Sequence, residues 1–318
     1  MVKNSVEMSL HLAGHLKPTL YLYITMEMLG NCIRGSNYYG QVQESLYTNA
    51  SEGSWPWHAI LNKEGENYSK FCQATILSDT EVITAAHCIE PFITDRNKLL
   101  FDLYVFVGKH LASTWEATEQ KIRVRRIYIH KDRLSTRNQT LGSKICDNDL
   151  ALLKLENNIK YSPYVRPACF PQSSKRGNVC IATGWNIQYA INTFSEGIIK
   201  FGKSAGLKEL EMKFYDDYVC DLLLAAEQHI QSEDHNFLCG TSDSLESPTW
   251  ATLQGGDSGG PLVCYQNGHW ELVGVSVAIL QYGSIGKIVH LFMKVDNNWV
   301  REKLGLQRNF WDTDILWN

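Results

Sequence analysis

Gly256-Asp257-Ser258-Gly259-Gly260-Pro261-Leu262 sets a serine hydroxyl on a glycine-rich turn immediately before an apolar run. Glycine beside a nucleophile lets the backbone aim its N–H groups at a substrate, where they can bind an oxyanion. That pattern points to covalent acyl transfer. A serine hydroxyl is a poor nucleophile near neutral pH, so the turn is meaningful only if a base and a carboxylate that orients the base occur elsewhere.

Both occur upstream. His87 stands in Thr84-Ala85-Ala86-His87-Cys88, a turn of small residues after apolar Val82-Ile83, and the acid stands in Asp147-Asn148-Asp149-Leu150-Ala151-Leu152-Leu153-Lys154-Leu155. The chain order is therefore His, Asp, Ser. That order separates this arrangement from those of subtilisin and the α/β-hydrolases, which reach the same geometry in other orders. Taken alone, His87 reads as a buried core histidine and Asp149 as a turn residue; Ser258 removes that reading.

On these three motifs the chain, from about Gly53 to Leu304, resembles the chymotrypsin-like (trypsin-fold) serine proteases. Its Trp55-Pro56-Trp57-His58-Ala59 entry is also similar to that of arthropod modular and complement-type serine proteases, which implies limited proteolysis in a cascade. The resemblance implies an all-β fold of two antiparallel six-stranded Greek-key barrels, with the active site in the cleft between them and a C-terminal helix. It implies that His87 is the general base, Asp149 its orienter and Ser258 the nucleophile. Asp149 is preferred to Asp147 because it directly precedes the apolar strand, as the family motif requires. Gly256 and Ser258 are the expected oxyanion donors. Asp257 is the expected activation-switch carboxylate, which in the family pairs with an ammonium freed by cleavage of a zymogen.

The implied organisation is a pro-segment or linker over 1–43 and a peptidase domain over 44–306, followed by a tail over 307–318. The first barrel is expected at about 54–165, the second at about 172–292 and the helix at about 293–304. Short apolar runs bounded by turn residues support the β assignment: Phe71 to Leu77, Glu81 to Thr84, Leu103 to Val107 and Ile122 to Ile129. Val295, Trp299, Val300 and Leu304 fall on one helical face, with Gly305 as its stop.

The 318 residues include nine cysteines, many for a reducing compartment, and Asn-x-Ser/Thr acceptors at Asn49, Asn67 and Asn138. Both suit a secreted protein, although the N-terminal stretch is a weak signal peptide. The family implies the pairs Cys72–Cys88, Cys180–Cys264, Cys220–Cys239 and Cys32–Cys169. Cys146 is left over as a free thiol, an intermolecular bridge or a rearranged partner.

The net charge of −4 argues against nucleic acid as a partner. No apolar run reaches the length of a membrane span. The expected partners are a protein or peptide substrate and a protein inhibitor. Basic residues gather at Lys121, Arg123, Arg125, Arg126, Lys131 and Arg133, a surface for an anionic polymer such as heparin or, as the favoured reading, a charged outer strand face that needs no ligand. No metal motif and no phosphate-binding loop occurs, so no cofactor is expected.

Three features depart from the family. No Arg or Lys precedes an aliphatic pair in Gln43 to Ala50, so the usual activation site is missing. Thr252, six residues before Ser258, replaces the acid that would receive an Arg or Lys side chain, and Gln254 replaces a cysteine that braces the pocket. Val277 and Ala278 stand where the substrate pocket needs room. A small apolar pocket is expected; the alternative is a catalytically impaired homologue that acts as a binding or regulatory module.

Overall fold

The run Ile122 to Ile129 lies on a strand that forms part of the wall of a closed barrel. The computed structural model describes residues 47–63, 72–90, 103–131, 147–170, 179–193, 197–201, 206–226, 236–242, 249–266, 268–282 and 287–305. The chain enters through β1 (Tyr47–Asn49), then β2 (His58–Lys63), β3 (Gln73–Ile76), β4 (Glu81–Thr84), β5 (Leu103–Val107), β6 (Gln120–Ile129) and β7 (Ala151–Leu155). Strands β2 to β7 close in the order β2-β3-β4-β7-β6-β5. Branched and apolar side chains such as Ile83, Val105 and Leu153 are fully buried inside it.

On β6, Ile122 and Val124 face inward while Lys121 and Arg125 face solvent. A bulge between Val124 and Arg126 then exposes Arg125 and Arg126 in succession. Arg123 is paired with Glu156, and Lys121 lies 4.1 Å from the centre of the Tyr104 ring, so part of the basic face is matched within the protein. Arg133 lies outside the described residues.

The C-terminal half continues through β8 (Val179–Gly184), β9 (Gln188–Thr193), β10 (Gly197–Phe201), β11 (Lys208–Glu211), β12 (Lys213–Phe214) and helix α1 (Asp217–Ala226). It ends with β13 (Phe237–Thr241), β14 (Thr249–Thr252), β15 (Pro261–Gln266), β16 (His269–Tyr282), β17 (Lys287–Lys294) and helix α2 (Asn297–Lys303). The main sheet has eight strands in the order β1-β11-β8-β15-β16-β17-β13-β12, and β10-β9-β14 form a separate three-stranded sheet. The architecture is thus all-β with two antiparallel, barrel-like sheets and a C-terminal helix. The second sheet exceeds the expected six strands because β1 crosses over to pair with β11, Tyr47 opposite Leu210, and because the two-residue β12 adds an edge.

Three of the implied disulfides are present: Cys72–Cys88, Cys180–Cys264 and Cys220–Cys239. The second joins directly opposed residues of β8 and β15, and the third pins α1 to β13. Cys169 is also disulfide-bonded. Cys32 and Cys146 lie outside the described residues, as do Asn67 and Asn138; Asn49 is exposed on β1.

α2 begins at Asn297, later than expected, because β17 keeps pairing as far as Lys294 opposite Gly274. Asp296 caps it by accepting from the N–H groups of Asn298 at 2.9 Å and Trp299 at 3.0 Å. Gly305, with a positive φ of 70°, ends it.

Candidate active site

His87 sits in a short 3₁₀ turn, Ala86–Cys88, that follows β4, so a rigid strand end sets its backbone. Asp149 is delivered by Asn148, the only non-glycine among the described residues with a positive φ, at 55°. Asparagine tolerates that left-handed conformation better than most residues. The reversal places Asp149 at the mouth of β7, buried, against the His87 turn.

Asp149 grips that turn twice. Its Oδ2 lies 2.6 Å from His87 Nδ1, and its Oδ1 accepts the His87 backbone N–H at 2.8 Å. A carboxylate can only accept, so the ring proton sits on Nδ1 and leaves the Nε2 lone pair free. The His87 side chain is 31% exposed, held from behind and open in front.

Ser258 is half-buried on the turn before β15, and backbone bonds fix that turn. Its carbonyl accepts from Gln73 N–H at 2.7 Å, Gly259 N–H donates to Ser276 O at 2.7 Å, and Ser276 N–H donates to Gly260 O at 2.9 Å. Gly259, at φ +83°, is obligatory, since a Cβ there would stand 2.2 Å from Gln73 O. The Cys72–Cys88 disulfide links the neighbour of Gln73 to the neighbour of His87. Two strands thus carry the serine turn and the histidine turn as one frame.

Within the heptapeptide, the N–H groups of Asp257, Gly259 and Gly260 are bonded, to Gln254 O, Ser276 O and Asp257 O. Those of Gly256 and Ser258 carry no bond among the described residues. No hydrogen bond joins Ser258 to His87, whose Nε2 has Cys88 Sγ at 3.7 Å. Cys72, His87 and Cys88 converge, but both sulfurs are consumed in the disulfide, and one imidazole alone is not a metal site.

A trypsin family model matches residues 47–300. The chain belongs to the trypsin family of serine proteases. It is 29% identical to mouse tryptase over 269 residues, covering 80% of this chain and 86% of tryptase. It is 31% identical to mouse ovochymase-2 over 232 residues, 71% of this chain. It is 30% identical to ovochymase of Halocynthia roretzi over 244 residues, 74% of this chain. The matches span 33% and 13% of those two longer proteins.

Beneath the serine turn lies a buried carboxylate. Asp257 is fully buried and accepts from Gln254 N–H and Asn186 N–H, each at 2.9 Å, and from Gln73 Nε2 at 2.7 Å. Burial pushes its pKa up to about 6, against the pull of those donors and of the Lys208 charge. Gln254, unable to form the family disulfide, thus serves the Asp257 carboxylate through its backbone. Gln73 and His58 are site residues that the sequence motifs did not single out, because neither type is diagnostic beside a cysteine or a Trp-Pro-Trp run.

The residues expected at the substrate pocket are also located. Thr252 is buried at the end of β14, its hydroxyl donating to Leu253 O at 2.9 Å. Val277 is buried at a bulge in β16 between Ser276 and Ala278, and Ala278 is half-buried. On β17, His290 is fully buried with neither ring nitrogen bonded, and burial pushes its pKa down to about 4. No helix among the described residues is long and apolar enough to cross a membrane.

Proposed function

We propose that this chain is a secreted serine-type endopeptidase that acts by limited proteolysis through an acyl-enzyme. The observation that carries this reading is the His87–Asp149 pair, bonded at 2.6 Å with Nε2 left basic, on the same frame as the Ser258 turn. In the first step Ser258 Oγ attacks the scissile carbonyl and His87 Nε2 takes its proton. The oxyanion is received by the unengaged N–H groups of Gly256 and Ser258. The C–N bond then breaks, His87 returns the proton to the leaving amine, and water repeats the cycle to release the acid. Asp149 holds the tautomer and steadies the imidazolium.

The preferred P1 residue is small or modestly hydrophobic. Thr252 offers no charge to a lysine or arginine side chain, and an unpaired cation in a buried pocket is strongly disfavoured. Val277 and Ala278 supply apolar contact at the mouth. Three disulfides and the exposed Asn49 acceptor support an oxidising, glycosylating compartment. A protein inhibitor would occupy the same cleft.

One observation favours a second reading, a catalytically impaired homologue that acts by binding: Ser258 makes no hydrogen bond to His87. Such bonds commonly tighten only with substrate in place. Reaction of the secreted protein with a fluorophosphonate probe, followed by mass spectrometry, separates the two. Label on Ser258 supports the peptidase; no label on any processed form leaves the binding module.

A further inference from the structure

Behind the serine turn runs a closed chain of buried polar groups that the peptidase mechanism leaves unused. Thr183 Oγ1 meets His58 Nδ1 at 2.8 Å, and His58 Nε2 meets Gln73 Oε1 at 2.6 Å. Gln73 Nε2 then donates to Asp257 Oδ1 at 2.7 Å and to Gly256 O at 3.1 Å. Thr183, His58, Gln73 and Asp257 are each no more than 2% exposed.

The proton directions along this chain are fixed by its two ends. Gly256 O can only accept, so the Gln73 amide nitrogen must face the turn and its oxygen must face His58. His58 therefore donates through Nε2, and Nδ1 accepts from the Thr183 hydroxyl. Burial pushes the His58 pKa down to about 3, so the ring stays neutral at physiological pH. Every donor meets an acceptor, which makes the chain rigid.

Gln73 is thus the single side chain among the described residues that hydrogen-bonds both Gly256 and Asp257, the residues on either side of one peptide bond of the serine turn. The surroundings leave no space for a further group at Asp257 Oδ1, since a Cβ on Gly184 would already stand 2.5 Å away. Among the described residues no cation forms an ion pair with Asp257. Lys208, whose charge Asp257 feels, gives its ammonium to Ile187 O at 2.6 Å.

We propose that Gln73, braced by His58, is a positioning residue that holds the Gly256-Asp257-Ser258 turn in its reactive form with neutral donors, so the uncut chain reacts at Ser258 without a terminal ammonium at Asp257. This inference rests on the reading of Ser258 as the nucleophile. It accounts for the missing activation site: a carboxylate already enclosed by Gln73, Asn186 and Gln254 has no need of one.

The test uses the full chain, shown to be uncut by intact mass, and its deliberately nicked form, each treated with a fluorophosphonate. The expected result is label on Ser258 of the uncut chain. Gln73→Met, similar in volume but without a donor or acceptor, should lower the labelling rate about tenfold or more under conditions where the variant is fully folded. Gln73→Glu is nearly isosteric and can donate to Asp257 only when protonated. Its rate relative to the parent should rise from about pH 8 to about pH 5, which a merely structural role would not produce. If Gln73→Met does not fold, that pH ratio decides alone. Label confined to nicked chains, or Gln73→Met at the parent rate, overturns this inference while the peptidase reading stands. No label on either form overturns both.

Discussion

Asp149 binds both the ring and the backbone of His87, through Oδ2 at 2.6 Å and Oδ1 at 2.8 Å, so one carboxylate sets the tautomer and the position of the turn together. The two contacts respond differently to substitution. Asp149→Asn keeps an oxygen that can accept the backbone N–H, and so keeps the turn, but it presents an NH₂ group to Nδ1. The ring must then carry its proton on Nε2, where it cannot accept from Ser258. The expected outcome is a nearly unchanged melting temperature with acylation slower by about 10⁴, the loss this exchange causes in related triads. Stopped-time labelling and thermal unfolding on the same preparation check it.

Gly259→Ala should fail for a different reason. At φ +83° a side chain is strained before any contact is made, and the Cβ would stand 2.2 Å from Gln73 O and 2.3 Å from Thr84 Oγ1. Neither neighbour is the loose end of a flexible side chain. The turn must lift away from β3, with a stability loss of more than about 2 kcal/mol and labelling slower by roughly a hundredfold. Denaturant unfolding and probe kinetics measure the two effects separately.

The disulfides should rank by the loop each closes. Cys180–Cys264 spans 84 residues and Cys72–Cys88 spans 16. On chain entropy alone the first contributes ~4.5 kcal/mol and the second ~3 kcal/mol. Double alanine variants unfolded by denaturant should therefore lose more for the first pair, whereas labelling of the still folded protein should fall more for the second, which joins the two halves of the site.

The His87, Asp149 and Ser258 motifs and most strands of the first barrel are legible in the sequence because each is written locally: a base after small residues, an acid before an apolar strand, a serine among glycines. The disulfide pairs are not written locally, since Cys180 and Cys264 stand 84 residues apart, and they follow from the family resemblance. The environment of Asp257 is not written locally either. Its donors come from 184, 71 and 3 residues away, and no local pattern joins Gln73, Asn186 and Gln254. The extra strands escape for a related reason. β1 has three residues and β12 two, too short for any period to show. The sheet β10-β9-β14 forms only because Thr249 to Thr252 pairs with β9, a partner about sixty residues upstream that turn spacing does not reveal.

Three buried groups give stability a pH dependence between about pH 4 and pH 6. Burial holds His58 at about 3 and His290 at about 4, below the ordinary 6.5. The unfolded chain therefore binds protons that the native protein refuses, and each histidine raises stability as pH rises towards 6.5. Asp257, at about 6 against 3.8, acts oppositely: the native protein keeps a proton that the unfolded chain has lost, so stability falls as pH rises from about 4 to about 6. Two histidines against one carboxyl leave a net rise of stability with pH across that window. His290 makes no hydrogen bond, so His290→Leu removes its titration without breaking a bond. His58 and Asp257 then act in opposite directions, and the slope between about pH 4 and pH 6 should become clearly shallower than the parent's. The same change relieves two buried, unbonded ring nitrogens and should raise stability at neutral pH by about 1 kcal/mol or more. Urea unfolding of parent and variant at half-unit pH steps tests both; a variant that keeps the parent slope would show that His290 is not the group refusing the proton.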